Sequence, residues 1–514
     1  MVGIPGAYTV VPWTSNYSYA SSMTMELKRT VVALALIASF MVYVDGTIVN
    51  LTLAQLSSHL HASRSALEWA VNAYTLSFAA VLLGSGAITD ILGAKRTFIT
   101  GLLIFTASSA VCAAAGTMPV LNLARLAQGV GAALLLPSAL VLATSAATDE
   151  HARHRLVGWW AAAGGVGMAA GPLLGGVLVS LANWRAVFGV NVVIGIPAIA
   201  WSIRSMPSVT RRDRSVDYAG MAAATLLIGG LVFGLIEAPA KGWGTPGVLA
   251  AFTLAAVGLL AFVRAGHTAK APLLPTAVYS DRSFATSALQ GALFNFTFYG
   301  LLFALSLMLQ QGRGLSAVAS GLLFLPLTGL ISLGSVCSAA LTRRSGRRSV
   351  LGGGQFVLAA ALVAVALTST LSPLWPLVLA LLPAGFSAGV LVPAMTSQSI
   401  AAVPPTLHGA ASAAFNASRQ VGAALGVAVF GPLLGSTGEL RDGFLTCVLL
   451  AALATAVALA LTLLNRTTAR TGVGTGSVDS AARCGPRTAH PRGGSTTAGG
   501  WPASRGPDDG AFGA

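Results

Sequence analysis

The chain has 514 residues, of which 55% are hydrophobic and only 9% are charged, and its formal net charge is +15. A water-soluble domain cannot cover its surface with so few charged side chains, so the composition indicates a polytopic membrane protein. The positive charge does not indicate a nucleic-acid partner, because the Lys and Arg residues stand in short connections between apolar segments. The four cysteines are scattered along the chain, so we expect neither a disulfide framework nor a metal site, and no cofactor.

Apolar segments of membrane-spanning length follow one another along most of the chain. A helix needs about 20 apolar residues to cross the hydrocarbon core of a bilayer. We therefore predict an all-α protein with spans at 30–53, 67–89, 97–116, 119–146, 156–181, 184–203, 217–238, 247–264, 283–310, 316–341, 350–370, 373–402, 409–435 and 442–464.

The distribution of basic residues predicts the orientation. If the N-terminus lies in the cytoplasm, most of the 30 Lys and Arg residues fall in connections on the cytoplasmic side. The opposite connections then hold five, namely Arg64, Arg185, Lys241, Arg313 and Arg441. This bias follows the positive-inside rule and predicts that both termini are cytoplasmic.

The chain divides into five segments. Residues 1–28 form a cytoplasmic N-terminal segment in which Met23 or Met25 is the expected start. Residues 29–203 and 282–465 each hold six spans, and 204–281 holds two extra spans with cytoplasmic linkers. Residues 466–514 are rich in Gly, Ser, Thr, Pro and Arg, so we expect a disordered cytoplasmic tail.

Two short basic turns, each with one central glycine, support the division into halves. Gly86–Arg96 follows the second span and Leu341–Arg348 follows the tenth. Because these places correspond in the two halves, they indicate an internal repeat.

Ionisable side chains inside a membrane are costly, so we treat them as functional candidates. Asp45 in the first span and Arg125 in the fourth both lie in the outer half of the bilayer, where they could meet. Asp45 is either a proton-binding group or a structural carboxylate paired permanently with Arg125. Glu237, at the outer end of the seventh span, either takes part in proton coupling or anchors the interface beside Trp243. The role of Arg419, in the thirteenth span, is open.

The fifth span carries a glycine pattern made of Gly158, Gly167, Gly171, Pro172, Gly175 and Gly176. Gly167, Gly171 and Gly175 are spaced four apart, so they lie on one face of a helix. A face without side chains lets a second helix approach closely. Pro172 removes a backbone donor and bends the helix.

These patterns together resemble the major facilitator superfamily. The glycine pattern of the fifth span is similar to the antiporter motif of its exporters. Val44–Asn50 resembles the first-span motif of the 14-span drug:proton antiporter branch, and Asn122–Gly131 resembles the fourth-span motif. The turn that holds Asp90, Gly93, Lys95 and Arg96 resembles the loop that marks the superfamily, although Ile91 and Ala94 replace basic residues that are usual there.

The resemblance implies a fold of two six-helix bundles with two extra central spans. It also implies a proton-coupled antiporter in the bacterial cell membrane that exports lipophilic drugs or antibiotics by alternating access. Its partners would be protons, a small lipophilic substrate and membrane lipids, and we expect a monomer. The alternative is a dedicated exporter of one metabolite, such as a self-made antibiotic or a siderophore. An enzyme is not expected, because the chain has no phosphate-binding loop and no catalytic cluster.

The resemblance also suggests roles for particular residues. Asp45, Arg125 and Glu237 would couple transport to protons. The gating loop would consist of Asp90, Gly93, Lys95 and Arg96. Residues expected at the substrate cavity are Asn50, Gln128, Phe294, Phe298 and Arg419. The tenth span has no acid, which favours neutral or singly cationic substrates over dications.

Overall fold

The computed structural model describes residues 25–206, 217–269, 272–274, 276–404, 407–436 and 440–464. These residues contain fourteen helices that are long and apolar enough to cross a membrane. They are α1 (Met25–His59), α2 (Arg64–Leu92), α3 (Ala94–Ala114), α4 (Met118–Ser145), α5 (Glu150–Leu181), α6 (Trp184–Ser205), α7 (Tyr218–Lys241), α8 (Pro246–Thr268), α9 (Arg282–Gly312), α10 (Ala317–Ser345), α11 (Arg347–Thr368), α12 (Trp375–Ala401), α13 (His408–Ser436) and α14 (Leu440–Leu464). The prediction of an all-α protein with fourteen spans is therefore confirmed.

Some predicted features lie outside the described residues. They are the first part of the N-terminal segment, most of the linker before α7, and the tail at 466–514. The residue limits predicted for the five segments stay predictions.

The first span is longer than predicted. The α-helix Met25–Ile48 passes through a 3-10 turn, Val49–Thr52, into a second helical stretch, Leu53–His59. In the turn the Asn50 carbonyl accepts a hydrogen bond of 2.5 Å from Ser306 Oγ on α9. The distorted turn of α1 is therefore hydrogen-bonded to α9, more than 200 residues away in the sequence. A hydropathy profile does not reveal such a contact.

The fifth span begins earlier than predicted, at Glu150 instead of 156. Asp149 caps it, because its Oδ1 accepts a 2.7 Å hydrogen bond from the backbone N–H of Ala152. This bond and a hydrogen bond with the Thr148 hydroxyl lower the pKa of the exposed Asp149 carboxyl. The cap therefore starts the helix in a polar turn, and a search for apolar segments does not include that turn.

The internal repeat is visible in the backbone. Helices α2 and α10 both have 29 residues, and each begins after a serine whose hydroxyl accepts from a backbone N–H, Ser63 in one and Ser316 in the other. Each ends at a glycine with positive φ, 86° at Gly93 and 78° at Gly346. Only glycine adopts this conformation without strain, so both basic turns need it.

The helices form two groups of six and a hairpin. The first group is α1–α6, the second group is α9–α14, and the hairpin is α7 and α8. Helix α1 packs on α5, α3 on α4 and α6, and α9 on α13 and α14, while α10 and α11 pack on α12. The two groups meet through α5 with α10 and α2 with α13. The hairpin of α7 and α8 is attached through α7, which contacts both α2 and α13.

Several close contacts between the groups lie toward one end of the molecule. We call it the distal end; it carries the α1–α2, α3–α4, α5–α6, α7–α8, α9–α10, α11–α12 and α13–α14 connections. A Cβ at Gly321 on α10 would lie 2.8 Å from the carbonyl oxygen of Pro172 on α5. On the other seam, Arg64 Nη1 donates to the carbonyl of Gly431 at 3.4 Å. The two groups are therefore packed together at the distal end.

Candidate functional site

A buried polar cluster surrounds Asp45 between α1, α4 and α6. Arg125 Nη1 donates to Asp45 Oδ2 in an ion pair whose side chains are both 0% exposed. Gln128 Nε2 and Asn191 Nδ2 each donate to Asp45 Oδ1 at 2.8 Å. We call these four residues the Asp45 cluster. Its carboxylate receives three donors, so the cluster satisfies a negative charge that would otherwise be very costly to bury.

The sequence of α4 aligns two of these donors. Arg125 and Gln128 are three residues apart and therefore share a helix face. Arg125 Nη1 also donates to Gln128 Oε1 at 2.7 Å, and Gln128 Nε2 donates to Ser109 Oγ on α3 at 2.9 Å. Arg125 Nε donates to the carbonyl of Ala70 on α2 at 2.9 Å. The cluster thus connects four helices of the first group with α1.

Aromatic rings enclose the guanidinium. The Cζ atom of Arg125 lies 4.4 Å from the centroid of Tyr74 and 5.8 Å from that of Phe188. The Tyr74 hydroxyl donates to the Val42 carbonyl at 3.1 Å, which connects α2 to α1 beside Asp45. Such rings stabilise a cation and exclude water. Of the polar atoms the structure describes here, Arg125 Nη2 is buried without a hydrogen-bond partner.

This arrangement defines what the site can do chemically. A carboxylate offers about four lone-pair sites, and the donors occupy two on Oδ1 and one on Oδ2 of Asp45. A proton on Asp45 would remove the negative charge that pairs with Arg125 and would leave the guanidinium buried without a counter-ion. The charge on Asp45 and the contact between α1 and α4 are therefore linked.

The glycines of α5 form the surface on which α1 lies. A Cβ at Gly167 would lie 2.6 Å from the Phe40 carbonyl oxygen, and one at Gly175 would lie 2.9 Å from that of Ile48. At Gly171 an added Cβ would overlap the hydroxyl of Thr47. These three glycines leave the face without side chains where α1, the helix that carries Asp45, comes closest. We call this face the glycine groove.

The remaining motif positions have other surroundings. Gly176 faces α10, where an added Cβ would lie 2.5 Å from the Ala317 carbonyl oxygen. Pro172 is inside α5 and its carbonyl faces Gly321 of α10. Gly158 meets nothing within 4 Å. The motif therefore serves two contacts, one within the first group and one between the groups.

Glu237 does not join the Asp45 cluster. It lies near the distal end of α7, where its Oε1 accepts from Trp69 Nε1 at 3.1 Å and its Oε2 pairs with Lys241 at 2.9 Å. Trp243 is 60% exposed and stacks with Phe252. A role of Glu237 in proton coupling stays a prediction.

The aromatic residues expected at the substrate cavity lie within the second group. Phe294 and Phe298 stack with ring centroids 6.0 Å apart and line an apolar cavity with Leu327, Leu358 and Leu362. Tyr299, the next residue, instead faces α1, and an added Cβ at Gly46 would be 3.8 Å from its hydroxyl. A direct role of Phe294 and Phe298 in substrate binding stays a prediction.

The polar residues expected at the cavity are separated from one another. Gln128 belongs to the Asp45 cluster. Asn50 is buried in the 3-10 turn, and its Nδ2 donates to the Thr47 carbonyl at 3.1 Å. Arg419 is half-buried on α13, and its Nε donates to Asn295 Oδ1 on α9 at 3.3 Å.

The predicted gating loop forms the turn between α2 and α3. Gly93 is the position with positive φ at which α2 ends. Lys95 Nζ donates to the Ile203 carbonyl of α6 at 3.4 Å, and Arg96 is exposed. Asp90 lies in the last turn of α2. Their role in gating stays a prediction.

Two residues of interest were missed from the sequence. Asn191 is a single polar residue within the apolar stretch Val190–Ile194, and that isolation is a usable signal. Glu68 stands at the second position of the predicted span 67–89, where an acid is typical of an exposed helix end, yet it is 1% exposed. Within the described residues there is no group of three or more His, Cys, Asp or Glu side chains placed to hold a metal.

Comparison with known proteins agrees with the geometry. The family model of the Major Facilitator Superfamily matches residues 35–427 and 338–490. The methylenomycin A resistance protein of Bacillus subtilis is 36% identical, over 77% of this chain and 85% of that protein. The tetracenomycin C resistance and export protein of Streptomyces glaucescens is 32% identical, over 79% of this chain and 76% of that protein. The puromycin resistance protein of Streptomyces alboniger is 35% identical, over 78% of this chain and 80% of that protein.

Solved structures show the same fold at low sequence identity. A peptide transporter aligns with a TM-score of 0.63 and 16% identity, covering 87% of this chain and 98% of that one. The human organic anion transporter MFSD10 aligns with a TM-score of 0.57 and 18% identity, covering 85% of this chain and 99% of that one. The chain therefore belongs to the major facilitator superfamily of membrane transporters, among the relatives named as bacterial antibiotic and multidrug resistance proteins.

Proposed function

We propose that this protein is a proton-coupled antiporter that exports lipophilic antibiotics or other drugs from the bacterial cytoplasm by alternating access. The observation that carries the proposal is the Asp45 cluster. It holds a buried carboxylate on α1, the helix that lies in the glycine groove of α5. The names of the relatives support export of antibiotics as the task.

The packing of the two groups suggests which state of the cycle the structure represents. The positive-inside bias puts the distal end outside the cell. Because the groups are packed together there, the outer side is closed. Asp45 then has three donors, as expected for a carboxylate that has released its proton to the cytoplasm. This is the state in which a drug would bind from the cytoplasm.

The opposite state follows from the same contacts. When the groups separate at the distal end, a proton from outside binds Asp45 and neutralises the partner of Arg125. The weakened ion pair frees α1 to move against α4. The drug leaves outward, and closure returns the proton to the cytoplasmic side.

The driving force is sufficient for resistance. One elementary charge that moves through a potential of about 100 mV releases roughly 2.3 kcal/mol. At about 1.4 kcal/mol per tenfold change, one proton maintains roughly a 50-fold concentration difference of a neutral drug.

The chemistry of the tenth span restricts the substrate. Helix α10, Ala317–Ser345, contains no Asp or Glu, so it offers no second negative charge to a dication. We propose neutral or singly cationic lipophilic substrates. Efficient export of a dication such as dequalinium would contradict this part of the proposal.

The test is proton release in inverted vesicles that hold a pH gradient, with a panel of lipophilic antibiotics and dyes. We expect substrate to trigger proton movement in the wild type and not in Asp45→Asn, with vesicles that lack the protein as the blank. A variant that matches the wild type would make Asp45 structural and end the coupling proposal.

A dedicated exporter of one metabolite is the second candidate. It is favoured by the relatives named for resistance to single antibiotics, methylenomycin A, puromycin and tetracenomycin C. The same panel separates the two candidates. Proton release with several unrelated compounds indicates a multidrug pump, whereas release with one compound indicates a dedicated exporter.

A further inference from the structure

A second acidic site lies at the distal end, where α2, α7 and α13 meet. Glu68 on α2 is 1% exposed and Glu237 on α7 is 8% exposed. Trp69, the neighbour of Glu68, donates its Nε1 hydrogen to Glu237 at 3.1 Å, and Lys241 pairs with Glu237 at 2.9 Å. Glu237 is therefore satisfied as a carboxylate.

Glu68 has different surroundings. Its Oε2 atom is buried and has no hydrogen-bond partner among the residues that the structure describes. The carboxyl group lies directly against Gly431 of α13, and a Cβ at that position would overlap its carboxyl carbon. Arg64, one turn earlier on α2, directs its Nη1 to the Gly431 carbonyl. The carboxyl group thus fills the seam between the two groups of helices.

The charges that act on Glu68 come from two helices. Arg64 on its own helix attracts a negative charge, and Glu237 on α7 repels it. Helix α13 contributes the backbone at Gly431, and its described ionisable side chains, His408 and Arg419, lie in earlier turns. A carboxylate without a hydrogen-bond partner is costly to bury, so the sealed seam fits the neutral acid.

We propose that Glu68 is a second proton-binding site, which locks the seam between α2 and α13 when it is protonated. Separation of α2 from Gly431 admits water and allows Glu68 to ionise. The ionised group then resists closure until it takes up a proton. The inference rests on the proposed function, because it assumes that the distal end opens during transport.

The position of Glu68 distinguishes its proton from the one on Asp45. Glu68 is in the second turn of α2, at the distal end, so its proton enters and leaves on the same side. It adds a dependence on external pH without adding a translocated proton. The number of protons exchanged per drug therefore stays the same when Glu68 is replaced by Gln.

The two extra helices gain a role from this inference. Helix α7 lies across both α2 and α13, and it brings Glu237 to Trp69 beside Glu68. Helix α7 therefore closes the side of the seam on which Trp69 lies.

The experiment measures opening of the distal end directly. Spin labels are placed on cysteines at Leu181 of α5 and Leu371 after α11, which are 81% and 46% exposed, in a chain whose native cysteines are replaced by serine. Distances between the labels are recorded in nanodiscs from about pH 5 to about pH 9, and one linked proton changes the open-to-closed ratio by up to about tenfold per pH unit. Both Asp45 and Asp45→Asn chains are used.

We expect the long-distance population to rise with pH in the Asp45→Asn chain, in which no proton on Asp45 acts on the same equilibrium; in the Asp45 chain the rise should be smaller, because protonation of Asp45 favours the open state at low pH. With Glu68→Gln it should stay at its low-pH level throughout, whereas Glu26→Gln, an exposed carboxylate at the start of α1, should match the parent. Gly431→Ala should weaken the pH response, because the added methyl displaces the Glu68 carboxyl from its place in the seam. It provides a second reading if Glu68→Gln does not fold.

The outcomes separate the two proposals. An unchanged pH response in Glu68→Gln or in Gly431→Ala overturns the role of Glu68 and leaves the Asp45 mechanism standing. Normal antiport in Asp45→Asn overturns the coupling role of Asp45, while the response to Glu68→Gln still reports on the seam.

Discussion

Asn191 of α6 and Asp45 of α1 are joined by a 2.8 Å hydrogen bond across 146 residues of sequence. Gln128 donates to the same carboxylate oxygen at the same distance. Asp45 is therefore held by amides as well as by Arg125, and the amide donors contact its carboxylate without adding charge.

Replacing Asn191 by Leu should destabilise the fold. The change removes one donor to the carboxylate and leaves the Arg125 ion pair in place. A hydrogen bond to a charged group contributes about 1.5–3 kcal/mol, so we expect the free energy of unfolding to fall by about that amount. Thermal unfolding measures the loss. Asn191→Gln, which keeps an amide, should lose less, and equal losses would contradict the argument.

Loss of Asp45 alone should destabilise the fold as well as stop antiport. Asp45→Asn leaves the Arg125 charge buried without its partner, which costs about 3–5 kcal/mol. The double variant Asp45→Asn with Arg125→Gln removes both charges, so we expect it to recover most of the stability and none of the antiport. Thermal unfolding and proton release measure the two effects separately. Antiport in the double variant would assign coupling to another acid.

The glycine groove offers a matched pair of substitutions within one motif. Gly175→Ala places a methyl 2.9 Å from the Ile48 carbonyl oxygen, whereas Gly158→Ala meets nothing within 4 Å. Overpacking costs about 1–3 kcal/mol, while alanine favours a helix over glycine by up to about 1 kcal/mol. We expect lower stability and export in the first variant and neither loss in the second. Equal effects would mean that the groove does not position α1.

The cap of α5 should make one helix end sensitive to acid. The pKa of Asp149 is lowered by its hydrogen bonds, so the cap stabilises the helix above the ordinary pKa of about 3.9. That contribution is lost as the pH falls through the lowered value. Amide exchange at Ala152 should therefore speed up below about pH 4, beyond its intrinsic pH dependence, in the wild type. In Asp149→Asn, which keeps a capping oxygen, this extra increase should be absent.

The sequence predicted the fold more completely than the site. Fourteen apolar segments, the glycine spacing of α5 and the two basic turns are local patterns, and each has its counterpart in the structure. Asp45 and Arg125 stand out because charge is rare inside a membrane. Asn191 can be recognised only as an isolated amide in an apolar helix, and no local pattern identifies its partner. Glu68 was missed because only packing against Gly431 shows that it is buried.

The repeated turns at Gly93 and Gly346 have the same backbone conformation and different charge. The first carries Lys95 and Arg96, and the second is flanked by Arg343, Arg344, Arg347 and Arg348. Each basic residue near an anionic leaflet contributes about 1 kcal/mol of attraction. We therefore expect lipid headgroups to hold the second turn more firmly than the first. In a membrane rich in anionic lipid, the turn between α2 and α3 would be the one that moves more freely.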